Sequence, residues 1–179
     1  MSTRRHSLFC FPFRLLYMFY YHNSPLPNLF LSFDPGHKSG GIAWTTSDPE
    51  DSIETTTMGQ LRDEFGTIGA FLDSFDNPLG GIAVEELPMI DTPGSAKLFI
   101  NYGAILEAVM QFDGFDFLHI SPQEWKRFYR FPMGMTYAEH KKFATVKRKE
   151  LFPGTKSSVP CDDAVLILGV LLSTYGDDE

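Results

Sequence analysis

NLFLSFDPG, residues 28–36, reads as an apolar strand that stops on an acid and a turn. Asn28–Phe33 is a run of strand length, and Asp34-Pro35-Gly36 is a turn signal. Gly36 removes side-chain bulk just beyond Asp34, so a phosphate could approach the backbone there. Two further stretches share this design. GGIAVEELP, residues 80–88, is an apolar run ending on Glu85-Glu86, and VPCDDAVLILGVLL, residues 159–172, opens an apolar helix on Asp162-Asp163. Each acid has a plainer reading. Asp34 can simply start a turn, and Asp162 and Asp163 are charges that a helix N-terminus favours.

Between these stretches the hydrophobic period changes. Gly40–Thr46 and Ile53–Met58 read as second and third strands, linked through short polar turns, which suggests an antiparallel meander. From Gln60 to Phe75 the residues Leu61, Phe65, Ile68 and Leu72 share one helical face. Gly81–Val84 is wholly apolar, as a central strand buried on both faces would be. Ser95–Met110 reads as a helix with Leu98, Tyr102, Ile105, Leu106 and Val109 on one side, and Phe115–Ile120 as a fifth strand. Ser121-Pro122-Gln123-Glu124 and Thr136-Tyr137-Ala138-Glu139 are capping boxes, the second opening a Lys/Arg-rich helix that LFPG ends. An apolar helix closes the chain at Cys161–Tyr175. The order β-β-β-α-β-α-β-α-α predicts a mixed sheet with helices packed on it, an α/β layered domain.

In such a sheet the first and fourth strands can be central neighbours, which sets Asp34 and Glu85 at their C-terminal ends. A last helix across the sheet would bring Asp163 to the same edge. Carboxylates drawn together repel unless a divalent cation lies between them. The expected chemistry is therefore Mg²⁺-dependent phosphoryl transfer. Two ions roughly 3.5–4 Å apart can activate a water and stabilise the leaving 3′ oxygen of a phosphodiester. Asp34 would bridge them, Glu85 or Glu86 would complete one ion, and Asp163 the other. Only one of Glu85 and Glu86 can face the site, because neighbours on a strand point oppositely.

FDPG (33–36), GIAVEELPM (81–89), SAKLFINYGAILEAV (95–109), HISPQEWKRF (119–128) and DDAVLIL (162–168), in this order, resemble the RuvC-like branch of the RNase H-like nucleases. The resemblance spans residues 29–174; ISPQEWK and ELFPG look most like the junction resolvases of phages and their hosts. It implies an RNase H-like mixed five-stranded sheet, three antiparallel strands and then parallel additions, with helices on both faces. It implies a homodimeric endonuclease that cuts branched DNA, usually Holliday junctions, using Mg²⁺ (with Mn²⁺ as substitute). Carried onto this chain, Asp34, Glu85 and Asp163 are the catalytic metal ligands. Better-known members have another aspartate one helical turn before the last. Pro160 stands there in this chain and cannot ligate, which leaves Asp162 to substitute, although adjacent helix residues diverge by about 100°. The implied location is the cytoplasm of a bacterium or of a phage-infected host.

The formal charge of −8 excludes a generally basic nucleic-acid binder, but the charge is uneven. His119–Lys156 carries nine Lys or Arg against three Glu, compatible with a local phosphate-binding surface or with a solvated helix face. Candidate DNA contacts are Lys126, Arg127 and Arg130 after the fifth strand, Lys141, Lys142, Lys147 and Lys149 on the basic helix, Lys97 with Asn101, and His37 with Lys38. Trp125, Phe128 and Tyr129 fit a core better than base stacking, and His119 and His140 are candidate proton carriers without a motif. Cys10 and Cys161 form no CxxC and no zinc pattern, as expected in a reducing compartment, with Cys161 packing as a small core residue. Residues 1–28 form a separate N-terminal extension whose apolar run is too short to span a bilayer. They fit a disordered or organelle-targeting segment, or upstream sequence before a true start at Met18, and the folded domain is 29–176. No later run crosses a membrane. The alternatives are an RNase H-like nuclease acting on RNA or other replication intermediates, and a non-catalytic DNA-binding module of the same fold. An actin-like ATPase would need a second domain and several phosphate loops, and no GxxxxGK[ST] loop is present.

Overall fold

The computed structural model describes residues 28–36, 40–48, 51–87 and 95–175. Five strands form one sheet: β1 (Leu29–Phe33), β2 (Gly41–Thr46), β3 (Glu54–Thr57), β4 (Leu79–Glu85) and β5 (Asp116–Ile120). Their order is β3-β2-β1-β4-β5. β2 pairs antiparallel with β1 and β3, while β1–β4 and β4–β5 are parallel. The expected meander with parallel additions is therefore present, and β1 and β4 are central neighbours. The extension up to residue 27 lies outside the described residues. Asn28 already belongs to the fold, since its N–H donates to Ser47 Oγ at 2.9 Å.

The helices are α1 (Met58–Phe65), α2 (Ile68–Leu72), α3 (Ser95–Val109), α4 (Pro122–Phe128), α5 (Tyr137–Leu151) and α6 (Asp162–Thr174). They cover both faces. Leu29, Leu31 and Phe33 of β1 point to a core shared with α1, α2 and α3. Phe30 points to the other, shared with α4, α5 and α6. In that second core Val165, Leu166, Ile167 and Leu168 of α6 are fully buried, each side chain worth about 1.5–3 kcal/mol of transfer free energy.

Two differences from the sequence expectation have local causes. The single helix over Gln60–Phe75 is split, because Gly66 adopts φ +75° at the end of α1 and Thr67 caps α2 anew. The chain turns there, yet Leu61, Ile68 and Leu72 stay buried. After β5 come three helices rather than two, because both capping boxes form. A third box, Thr57 with Gln60, starts α1 directly from β3.

One close approach fixes the site. A Cβ on Gly41 would lie 2.6 Å from Cys161 Cα and 2.8 Å from the Pro160 carbonyl oxygen. Only glycine lets the single 3₁₀ turn Val159–Cys161 cross β2 at that distance. Ser32 Oγ then donates to the Ala164 carbonyl at 2.6 Å, tying the first turn of α6 to the middle of the sheet.

Candidate active site

Three elements deliver the acids. β1 ends at Phe33, and Asp34 N–H donates to the Gly41 carbonyl at 2.8 Å, holding the residue at the strand's exit. Phe30, Ser32 and Asp34 alternate onto the α6 side of the sheet. On β4 the same alternation sends Ala83 and Glu85 to that side. β1 and β4 are in register at Ser32–Ala83 and Phe33–Val84. The next step of that ladder sets Asp34 beside Glu85.

Their carboxyls lie within hydrogen-bonding reach of each other, and Asp163 adds its charge to both. Burial, then the charges of Glu85 and Asp163, hold the Asp34 carboxyl well above the usual carboxylate range. Burial also raises Glu85, against the hydrogen bond from Trp125. Trp125 Nε1 donates to Glu85 Oε1 at 2.8 Å, while the indole itself is fully buried. Asp163 Oδ2 accepts from Lys141 Nζ at 2.6 Å. Burial alone would lower the Lys141 ammonium, but Asp163 and Asp34 raise it above its usual value. An under-compensated group of acids at a strand-end edge is where titration shifts mark function.

Asp162 is not drawn into this group. It is 1% exposed; Oδ1 accepts from Arg148 Nε at 3.0 Å and Oδ2 from Thr145 Oγ1 at 2.6 Å. Arg148 spends a further N–H on the Thr155 carbonyl at 3.1 Å. Asp162 is thus the buried anchor of α6 on α5, and the substitute-ligand role expected of it meets two committed oxygens. Glu86 points the other way from Glu85 and pairs with His119 Nδ1 at 3.2 Å, and Tyr102 OH bonds the other imidazole nitrogen.

The basic candidates separate too. Lys141 stands in the acid group itself. Lys126 is half-buried with Nζ 5.1 Å from the Trp125 ring centre. Lys97, Arg127, Arg130, Lys142 and Lys149 are exposed, and Lys147 pairs with Glu150 at 2.9 Å. His37 and Lys38 lie outside the described residues. Asn101 is buried and bonded to Arg62. Trp125 and Tyr129 are core, as expected, and Phe128 is half exposed. His140 packs on Phe131.

Sequence reasoning missed the Trp125 N–H, the place of Lys141, and the buried Arg148. One signal was available: Lys141, Thr145 and Arg148 sit at i, i+4 and i+7 of one helix, a single face.

Among the described residues no three or more His, Cys, Asp or Glu side chains stand as a preformed metal centre. Asp34, Glu85 and Asp163 nevertheless interact as one group, and their donors are all hard oxygens of the kind Mg²⁺ and Mn²⁺ take. The donor chemistry is of a kind that suits a divalent cation, which Asp34, Glu85 and Asp163 would hold.

No family model and no curated protein matches this chain. Solved structures do. The chain is similar to Thermus thermophilus RuvC in complex with Holliday junction substrate, at TM-score 0.54 and 18% identity, over 82% of this chain and 95% of that one. A second Thermus thermophilus RuvC structure matches at TM-score 0.54 and 17% identity over the same shares. At such identity the likeness is one of fold: this chain has the mixed five-stranded α/β architecture of RuvC, the RNase H-like arrangement.

Proposed function

We propose that this protein is a divalent-cation-dependent endonuclease that hydrolyses phosphodiesters in branched DNA, Holliday junctions foremost. The observation that carries the reading is the meeting of Asp34, Glu85 and Asp163 at the exits of β1 and β4. The fold shared with a RuvC solved on a Holliday junction supports it.

Hydrolysis forms a P–O bond from water, breaks the P–O3′ bond, and leaves a 5′ phosphate and a 3′ hydroxyl. Mg²⁺ or Mn²⁺ held by the three carboxylates would supply Lewis-acid charge for the water and the leaving oxygen. The chain's own residues do the rest. Holding the ion requires Asp34 and Glu85 ionised, against the raised proton affinity that burial gives both. Trp125 fixes Glu85 from behind, as outer-shell partners do. Lys141 steadies Asp163 and offers positive charge where the phosphate's charge builds. Lys126, Arg127, Arg130 and Lys142, with Lys97, His37 and Lys38, would grip the DNA backbone and position it without reading sequence. Two chains related by a twofold axis would make the paired cuts a junction needs.

The test is cleavage of junction, flap, duplex and RNA substrates with Mg²⁺. The wild type should cut the junction first, and Asp34→Asn should lose that activity by more than ~10²-fold, since even outer-shell changes cost 10–100-fold. Full activity in Asp34→Asn would refute the reading, and preference for RNA would move the protein to another nuclease of this fold.

A further inference from the structure

We infer that Tyr137 stacks on an unpaired nucleobase of the branched substrate, beside the phosphate held at the acid group. The inference rests on the nuclease reading above and deepens it, adding a contact to a base where the cations offer only contacts to the backbone.

Local structure sets the ring outside the protein. Glu139 N–H donates to Thr136 Oγ1 at 3.4 Å, and Thr136 N–H donates back to Glu139 Oε2 at 2.7 Å. That box fixes Tyr137 as the first residue of α5. Its side chain belongs to neither core and is 76% exposed. A single exposed aromatic is ordinary, and what distinguishes this one is its position. The ring centre stands 5.7 Å from Lys141 Nζ, and that ammonium lies 2.6 Å from Asp163 Oδ2. Tyr137 is therefore separated from the acid group by one side chain. The turn before it adds Met133, which is fully exposed, next to Gly134 at φ +76°. Arg130 and Lys142, before and after this apolar pair in the chain, are exposed as well.

The chemistry follows from that placement. A phosphate drawn to the acids by a bound cation, and to Lys141 by its charge, brings its own nucleoside to the ring just beyond the ammonium. In intact duplex each base already has neighbours on both faces and has nothing to offer Tyr137. A base at a branch point can lose one neighbour, and every base presents a π-face that an aromatic ring can take. A tyrosine has only two side-chain torsions to fix, so little freedom is lost when it does so. Tyr137 thus favours a branch point over plain duplex without reading sequence.

The experiment places 2-aminopurine at each position in turn around the branch point of a four-way junction, bound by the full chain in Ca²⁺. We expect quenching at a position beside the branch point, its loss in Tyr137→Ala and its return in Tyr137→Phe. With Mg²⁺, Tyr137→Ala should cleave the junction at least about 5-fold more slowly, the low end of stacking on one base, and Tyr137→Phe should restore the rate. Quenching and cleavage in Tyr137→Ala equal to wild type would overturn the inference. So would slower cleavage with the quenching unchanged, which would mean that the ring acts only on Lys141. A Tyr137→Phe variant as impaired as Tyr137→Ala would overturn it too, by assigning the effect to the hydroxyl. Any of these results with wild-type cleavage intact leaves the nuclease reading standing. Quenching that depends on Tyr137 in a protein that cuts no substrate would overturn the nuclease reading and keep the contact.

Discussion

Asp162 and Asp163 are chain neighbours at the start of α6 that live in opposite electrostatic worlds. Asp162 is buried against α5 and fully partnered, by Arg148 at 3.0 Å and Thr145 at 2.6 Å. Asp163, turned by about 100° on the helix, reaches the strand-end edge where Asp34 and Glu85 already repel one another. One acid is neutralised inside the protein and carries structure. The other joins a group of three acids in which its own partner is the Lys141 ammonium. Only the second arrangement has use for an ion from outside. The contrast shows that a pair of acids in a motif need not act as a pair, because one helix step separates an anchor from a ligand.

The largest expected effect breaks the anchor side. Arg148→Ala leaves Asp162 charged and buried, and should cost about 3–5 kcal/mol in urea or thermal unfolding. Replacing both partners, Arg148→Met with Asp162→Leu, should cost far less. If the single and double variants were equally stable, Asp162 would have another partner and the contrast would fail. On the ligand side, Trp125→Phe keeps the ring in the core but removes the donor to Glu85. Cleavage should fall by about 10–100-fold, as for other outer-shell losses, with little change in unfolding.

A smaller effect has the opposite sign. The folded-state affinity of Asp34 for its proton is raised, so the native protein binds more protons than the unfolded chain above the usual carboxylate range. Stability of the metal-free protein should therefore fall as pH rises through that window and stay lower above it. Asp34→Asn removes this loss. In a chelator at neutral pH, the variant should melt higher than wild type, by ~2–4 °C for each kcal/mol relieved. A lower melting temperature would mean that Asp34 supports the fold rather than strains it. The smallest effect belongs to the exposed cations. Lys142→Ala should weaken DNA binding evenly across sequences and reduce the salt slope by about 1.

Much of this was legible in the chain. The apolar runs before Asp34 and Glu85 and after Asp163 carry their own strand and helix periods, so the sheet and the last helix followed from local pattern. The choice between Glu85 and Glu86 needed the pairing of β4 with β1, because alternation says only that they differ. The split at Gly66 was hidden since Leu61, Ile68 and Leu72 keep helical spacing on both sides of it. Arg148 and Lys141 looked like members of one solvated basic face. Nothing local distinguishes a lysine facing solvent from one facing Asp163 when α6 arrives from elsewhere in the chain. The same holds for Trp125, whose burial was expected and whose N–H had no visible destination until β4 stood beside α4.

The central claim is that remote acids make one oxygen site for a hard cation, and diffraction from Mn²⁺-soaked crystals at the manganese absorption edge tests it directly. The account predicts an anomalous peak bounded by Asp34, Glu85 and Asp163, with Asp162 still on Arg148. A manganese peak elsewhere, or none within reach of these three side chains, would contradict it.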